Sequence, residues 1–193
     1  MDASALLSRL ACPLIPVVVI DRLDDAAPLA EALLQGGISA LEITLRTPVA
    51  CEAISAMKSA LPDAVIGAGT VSSGEAYGAA VQAGADFVVS PGATDQLFKT
   101  AAAHAVPFLP GAVTGSEVLR AMEFGYAALK FFPAEAAGGT PALQALSGPF
   151  PDVNFMPTGG VTPDNVATYL QLKNVFAVGG SWLTPRELLI GQQ

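Results

Sequence analysis

Histidine and cysteine are scarce in this sequence, and so are positive charges. One histidine, His104, and two cysteines, Cys12 and Cys51, stand in a chain of 193 residues. A zinc hydrolase, a divalent-metal aldolase or a histidine-dependent isomerase needs more side chains of this kind than the sequence offers. We therefore expect no metal site, a solvated surface position for His104, and small buried positions for the cysteines without a disulfide framework.

The shortage of positive charge limits the classes of partner. Nine lysines and arginines stand against 17 aspartates and glutamates, which gives a net charge of −8. Nucleic acid and anionic membranes bind clusters of basic residues, so we expect neither as a partner. The longest apolar run, Pro13–Ile20, is too short to cross a bilayer, and Arg9 interrupts the only candidate signal peptide. These features predict a cytoplasmic protein.

Apolar residues make up 52% of the chain and recur in short runs separated by alanine-rich segments. Continuous apolar runs of this length predict parallel strands that are covered on both faces. Their recurrence without a linker predicts one domain over residues 1–193, a single (β/α)8 barrel, with a doubly wound open sheet as the alternative. The predicted strands are Ile15–Ile20, Ala40–Leu45, Ala64–Gly67, Phe87–Ser90, Phe108–Pro110, Ala128–Phe132, Asn154–Pro157 and Val175–Val178.

Capping residues and glycines mark the predicted helices between these strands. Thr162-Pro163-Asp164 and Thr184-Pro185 each combine a capping residue with a proline at the first helical position. We also expect an N-terminal helix over Ala3–Ala11 and a shortened last helix from Thr184 to Gln193. Glycines that follow helix ends in the usual way are Gly36-Gly37, Gly84 and Gly125.

The second predicted strand carries polar residues on one face only. Alternation places Glu42, Thr44 and Arg46 on the face opposite to its apolar residues. If the apolar face packs on the helices, the polar face points into the barrel, where charge is costly unless it is used or paired. A structural Glu42–Arg46 ion pair and a functional role both remain open.

Lys130 lies in the middle of the sixth apolar run, where lysine is unusual. Burial disfavours the charged form of an amine, and a neutral amine can attack a ketone to form an imine. Lys130 is therefore a candidate nucleophile. The alternatives are a salt bridge to Glu42 across the barrel, or a side chain that extends to solvent.

Three predicted strands end in glycine-rich turns, at Gly67–Val71, Pro157–Val161 and Val178–Ser181. The loops after strands seven and eight of a (β/α)8 barrel commonly bind phosphate. Exposed backbone N–H groups, together with the dipole of a helix that begins at Thr162, can hold an anion without a basic patch. The pattern thus predicts a phosphate site in an acidic protein.

Taken together, these residues resemble the 2-keto-3-deoxy-6-phosphogluconate (KDPG) aldolases, a family that includes bifunctional 4-hydroxy-2-oxoglutarate aldolases. The resemblance extends over nearly the whole chain, from about residue 12 to 185. The stretches that carry it are Leu41–Pro48, Gly67–Val71, Val89–Gly92, Leu129–Glu135, Pro157–Gly160 and Val178–Pro185.

The resemblance implies a class I aldolase that cleaves KDPG to pyruvate and glyceraldehyde 3-phosphate in the Entner–Doudoroff pathway. Lys130 would form the Schiff base, and Glu42 would transfer protons. The implied substrate-binding residues are Arg46 and Thr70 for the pyruvate carboxylate, Pro91 and Phe132 for the pocket wall, Thr158 for the distal end of the substrate, and Gly159, Gly160, Gly180 and Ser181 for the phosphate.

The resemblance further implies a homotrimer that needs no cofactor. Galactonate-type relatives commonly have valine at the position of Thr158, so threonine favours the gluconate substrate. A phosphogalactonate-type aldolase is the alternative within the family. Outside it, the alternatives are another phosphate-binding barrel enzyme, such as a sugar-phosphate epimerase or isomerase, and a non-catalytic barrel that serves as an assembly subunit.

Overall fold

In a computed structural model of the chain, residues 9–185 are described, and they form eight parallel strands that alternate with seven α-helices. The strands are β1 (Leu14–Val18), β2 (Ala40–Thr44), β3 (Val65–Gly69), β4 (Phe87–Val89), β5 (Phe108–Leu109), β6 (Ala128–Phe131), β7 (Asn154–Pro157) and β8 (Val178–Gly180). The helices are α1 (Ala26–Gln35), α2 (Ala50–Ala60), α3 (Gly74–Gln82), α4 (Asp95–Ala102), α5 (Gly115–Glu123), α6 (Gly139–Ser147) and α7 (Val166–Leu170). The predicted α/β class with parallel strands is confirmed.

Strands that follow each other in the sequence are also neighbours in the sheet. Six strands pair in the order β5-β4-β3-β2-β1-β8, and β6 pairs with β7 in a second, two-stranded sheet. The order has no reversal point of the kind that a doubly wound sheet contains, so that alternative is wrong. Isolated bridges join the two sheets at Gly111–Lys130, Phe155–Val175 and Thr158–Gly179.

Two apolar clusters lie on the two faces of these strands. Leu41 and Ile43 of β2 are fully buried in the larger cluster, which also contains the inward-facing residues of the helices. Ala40, on the opposite face of β2, belongs to a smaller cluster in which only strand residues and their immediate flanks meet. The predicted alternation along β2 is therefore confirmed, and Glu42 shares the face of Ala40.

Several predicted boundaries differ from the observed ones. β8 begins at Val178, although the predicted strand was Val175–Val178, and Val175 makes only an isolated bridge. The helix predicted to begin at Thr162 begins at Val166 after a turn, and it is five residues long. Residues 9–11 of the predicted N-terminal helix are not helical; its remainder, and nearly all of the last helix predicted from Thr184, lie outside the described residues.

The scarce residue types also depart from their predicted places. Cys12 and Cys51 are free but only partly buried. His104 is partly buried as well, because its ring stacks on Tyr77 with 5.4 Å between the ring centroids. Between residues 9 and 185 there is no cluster of three or more metal-ligating side chains. Within the same range, no helix has the length and apolarity that a membrane span requires.

Candidate active site

A buried lysine and a buried glutamate meet in the interior, on the face of the strands that points away from the helices. The Nζ of Lys130 donates to Oε1 of Glu42 at 2.9 Å, and Oε2 lies 3.3 Å away. Glu42 is fully buried, whereas Lys130 keeps 5% of its surface exposed. Since Glu42 lies on β2 and Lys130 on β6, the contact crosses the interior between opposite strands.

Backbone hydrogen bonds and strand pairing hold Lys130 and Glu42 in place in their strands. The N–H of Lys130 donates to the carbonyl of Pro110, and its own carbonyl accepts from Ala112, both at 2.9 Å. Glu42 is held on β2 by parallel neighbours on both sides, Val17 and Gly67. A side chain that extends from such a strand has few conformations available, which favours a precise encounter between amine and carboxylate.

The pair decides between two of the sequence alternatives. Glu42 pairs with Lys130 and not with Arg46, so the Glu42–Arg46 ion pair that the sequence left open is not formed. The predicted salt bridge between Glu42 and Lys130 is present. Because a buried ion pair often contributes little net stability, the bridge alone does not explain why charge lies in the apolar interior.

Arg46 lies just past the end of β2 and reaches the end of β3. Its Nε donates to Oγ1 of Thr70 at 3.1 Å. Thr70 has a φ of +58°, which is a rare conformation for a β-branched residue. Backbone strain of this kind concentrates at functional sites, where surrounding structure enforces it. The contact brings together the two residues that, by the family resemblance, would bind one carboxylate.

A cavity of about 110 Å³ opens at the carboxyl ends of the strands. It brings together most of the predicted substrate-binding residues, namely Arg46, Phe132, Thr158, Gly159, Gly160, Gly180 and Ser181. Sequence reasoning missed three further lining residues, Val17, Val161 and Gly179. The Nζ of Lys130 lies 5.4 Å from the ring centroid of Phe132, so this ring connects the amine to the cavity.

Pro91 does not line this cavity. It is exposed at the end of β4, and its backbone packs so closely on Gly111 that a Cβ at position 111 would overlap the Pro91 carbonyl. Its predicted place in the pocket wall therefore stays a prediction.

The turn Gly159–Gly160 presents backbone amides rather than carbonyls. The Gly159 carbonyl accepts from the N–H of Glu135 at 3.0 Å, and the Gly160 carbonyl accepts from Nδ2 of Asn165 at 3.3 Å. In a planar trans peptide, C=O and N–H point in opposite directions. The N–H groups of Gly160 and Val161 thus point away from these two partners. Such amides suit an anion, whereas the short helix α7 adds little dipole.

Two glycines of β8 allow other side chains to approach the strand. A Cβ at Gly179 would overlap the hydroxyl of Thr158, and one at Gly180 would overlap the ring of Trp182. Close packing of this kind explains why glycine occupies a strand in which it is otherwise unfavourable. Thr158, Gly180 and Ser181 all line the cavity.

Comparison with known proteins identifies a family. The model of the family described as "Aldolase: KDPG and KHG aldolase" matches residues 7–193. A KHG/KDPG aldolase of Escherichia coli K12 is 48% identical over 177 residues, which are 92% of this chain and 83% of that protein.

The comparison with solved structures leads to the same family. A KDPG aldolase from Legionella pneumophila, with pyruvate captured at low pH as a covalent carbinolamine intermediate, has a TM-score of 0.94 and 47% identity, over 98% of this chain and 91% of that one. A KDPG aldolase of Zymomonas mobilis ZM4 with 3-phosphoglycerate has a TM-score of 0.90 and 44% identity, over 95% of this chain and 87% of that one.

Proposed function

Since the chain belongs to the KDPG and KHG aldolase family, we propose that it is a class I aldolase that cleaves KDPG to pyruvate and glyceraldehyde 3-phosphate through an imine on Lys130. The observation that carries this proposal is the buried contact of 2.9 Å between Lys130 and Glu42 beside a cavity. The carbinolamine in the Legionella pneumophila relative supports the covalent chemistry.

The first half of the reaction forms the imine. Glu42 is placed to take a proton from Nζ of Lys130, whose lone pair then attacks the C2 ketone to give a carbinolamine. Glu42 returns this proton to the C2 hydroxyl, which leaves as water, and a protonated imine remains between Nζ and C2. The imine nitrogen can accept the electron pair of a bond that breaks two atoms away, so the lysine itself serves as the electron sink and the route needs no cofactor.

The second half of the reaction breaks the C3–C4 bond and releases the products. Glu42, directly or through a water molecule, removes the proton of the C4 hydroxyl, the C3–C4 bond breaks, and glyceraldehyde 3-phosphate leaves. The electron pair forms an enamine, which is protonated at C3, and water then releases pyruvate and restores Lys130. A positioned acid–base group of this kind contributes about two to four orders of magnitude in rate.

The substrate would extend from Lys130 into the cavity. Arg46 and Thr70 would hold the carboxylate, because the guanidinium lines the cavity and the Thr70 hydroxyl contacts it. The amides near Gly160 and the hydroxyl of Ser181 would hold the phosphate, and the 3-phosphoglycerate in the Zymomonas mobilis relative supports a phosphorylated ligand. Thr158 favours the gluconate over the galactonate substrate, and 4-hydroxy-2-oxoglutarate is a second candidate.

The fold, the oligomeric state and the cellular location of the enzyme are proposed as well. We propose that the strands close into a (β/α)8 barrel over the single domain 1–193, which the bridges Gly111–Lys130 and Thr158–Gly179 support. We propose, from the family resemblance, a cytoplasmic homotrimer that acts in the Entner–Doudoroff pathway.

Reductive trapping tests the imine directly. The protein is incubated with pyruvate, reduced with borohydride and digested, and mass spectrometry should locate the reduced adduct on Lys130. Lys58 is the matched control, because its Nζ is also partly buried beside a carboxylate, Asp86, at 2.9 Å. An adduct that is absent, or that appears on Lys58 instead, contradicts the proposal.

Substrate comparison separates the remaining candidates. Pyruvate release from KDPG, from its galactonate epimer and from 4-hydroxy-2-oxoglutarate should give the highest kcat/KM for KDPG. Preference for the epimer would indicate the galactonate-type enzyme. A lack of turnover on all three substrates would contradict the aldolase function and favour the other phosphate-binding barrel enzyme or the non-catalytic assembly subunit.

A further inference from the structure

Glu135 supports the Gly159–Gly160 turn on the side of its carbonyls, and Tyr169 in turn binds Glu135. Glu135, in the segment after β6, donates its backbone N–H to the Gly159 carbonyl at 3.0 Å. A Cβ at Gly160 would lie only 2.6 Å from Cβ of Glu135, so the stem of the glutamate packs directly on this turn. Glu135 therefore lies on the side of the turn that carries the carbonyls, behind the amides assigned to the phosphate.

Tyr169 of α7 binds that carboxylate. The tyrosine is fully buried, and its hydroxyl donates to Oε1 of Glu135. Burial, and after it the hydrogen bond to the carboxylate, raises the pKa of Tyr169 above its ordinary value. The hydroxyl consequently remains a donor at any pH used for assay.

We propose that Tyr169, acting through Glu135, is a positioning residue that keeps the phosphate subsite selective for phosphorylated substrate. The inference rests on the proposed function. Glu135 is itself an anion beside the turn, and in a chain of net charge −8 there is little basic surface to offset it. While Tyr169 holds the carboxylate, the amides near Gly160 stay available. Once released, the carboxylate is free to approach the turn, where its negative charge repels the substrate phosphate on the other side.

The test compares substrates with and without the phosphate. For Tyr169→Phe we expect KM for KDPG to rise roughly tenfold or more, the usual scale for a hydrogen bond to a charged group. KM for unphosphorylated 2-keto-3-deoxygluconate, kcat, and the rate of borohydride trapping with pyruvate should stay within about twofold of wild type, because none of them uses the phosphate subsite.

Further variants separate positioning from general damage to the fold. Tyr169→Phe combined with Glu135→Gln removes the released charge and should restore most of the affinity for KDPG. In Glu135→Asp the side chain is one methylene shorter, so its carboxylate should no longer reach the Tyr169 hydroxyl. This variant should show the same selective rise in KM for KDPG without a change in the core. Tyr77→Phe is the matched control: Tyr77 is also fully buried, and its hydroxyl bonds to the carbonyl of Val106 at 2.9 Å, away from the cavity.

The outcomes distinguish this inference from the proposed function. If wild type forms no adduct with pyruvate, the proposed function fails. If wild type forms the adduct but Tyr169→Phe and Glu135→Asp raise KM equally for both substrates, or leave both unchanged, the inference is overturned while the aldolase function stands. The same holds if the double variant does not recover KM for KDPG, or if Tyr77→Phe reproduces the selective rise.

Discussion

Gly69 faces the carboxylate of Glu42 so closely that a Cβ at position 69 would overlap Oε1 of Glu42. The two residues lie on the neighbouring strands β2 and β3, and Gly69 pairs with Thr44 in register. The same Oε1 accepts the hydrogen bond from Lys130 at 2.9 Å. Because Gly69 has no side chain, the carboxylate of Glu42 has the space that it needs to reach Lys130.

Gly69→Ala should therefore impair catalysis without removing any reacting group. The added methyl must displace the carboxylate from Nζ of Lys130, and we expect kcat for KDPG to fall by about 100-fold, at the lower end of what positioned acid–base catalysis contributes. Steady-state pyruvate release measures the loss, and the slower formation of the borohydride adduct shows whether imine formation is affected.

Gly78→Ala is the matched control for this substitution. Gly78 lies in α3, and a Cβ there would meet no atom within 4 Å. Alanine should leave kcat unchanged and stabilise the helix by roughly 0.5–1 kcal/mol. Wild-type kcat in Gly69→Ala would show that the placement of Glu42 is not needed for turnover.

Lys130→Met should abolish trapping and also destabilise the fold. Without the amine, the Glu42 carboxylate is buried with its ion-pair partner removed, and breaking one side of a buried pair costs about 3–5 kcal/mol. The double variant Lys130→Met/Glu42→Leu replaces both charges, so we expect its free energy of unfolding to lie well above that of the single variant. Urea unfolding of the two variants measures the difference. Equal free energies would mean that Glu42 finds another partner.

The alternation of polar and apolar residues along β2 predicted which side of that strand points inward, but not which residues meet there. Glu42 and Lys130 are separated by 88 positions, and the sequence left Arg46 and Lys130 both open as partners of Glu42. The choice depends on how far the sheet curves between β2 and β6, and curvature is a property of all the strands together.

The bounds of β8 and part of the cavity lining could not be predicted from the sequence, for a different reason. Strand propensity favours Val175 and Phe176 over Gly179 and Gly180, yet the glycines form the strand because Thr158 and Trp182 pack against them. Likewise, Val17 and Val161 line the cavity, but an apolar residue at a strand end has no chemical pattern that distinguishes it from the core. The glycine-rich spacing itself was the signal that could have included Gly179.

Ser181→Val should weaken the recognition of phosphate while the chemistry at Lys130 continues. Ser181 lines the cavity beside Gly180, and valine replaces its hydroxyl with a methyl group and adds a second methyl group. A hydrogen bond to a charged group contributes about 1.5–3 kcal/mol, so KM for KDPG should rise by roughly 10- to 100-fold. Steady-state assays with KDPG and 2-keto-3-deoxygluconate measure the effect. A parallel rise for the unphosphorylated substrate would contradict a phosphate role for Ser181.

Glu117 should make stability depend on pH through the start of α5. Burial raises the pKa of Glu117, but the N–H groups of Thr114 and Val113, which donate to its Oε2 at 2.8 and 2.9 Å, outweigh burial and hold the pKa below its ordinary value of 4.5. A lowered pKa in the folded state means that the stabilisation is complete above the unfolded pKa and is lost as the pH falls through the folded pKa.

Glu117→Gln should accordingly cost roughly 0.5–1 kcal/mol at neutral pH, within the range of N-terminal caps, and progressively less as the pH falls below about 4.5. Urea unfolding of both proteins across that range measures the difference. Ser73→Ala is the control, because Ser73 caps α3 by accepting from the N–H of Ala76 at 3.1 Å and does not titrate. Its cost should be the same at every pH. A pH-independent cost of Glu117→Gln would mean that the neutral acid accepts these hydrogen bonds as well as the carboxylate does.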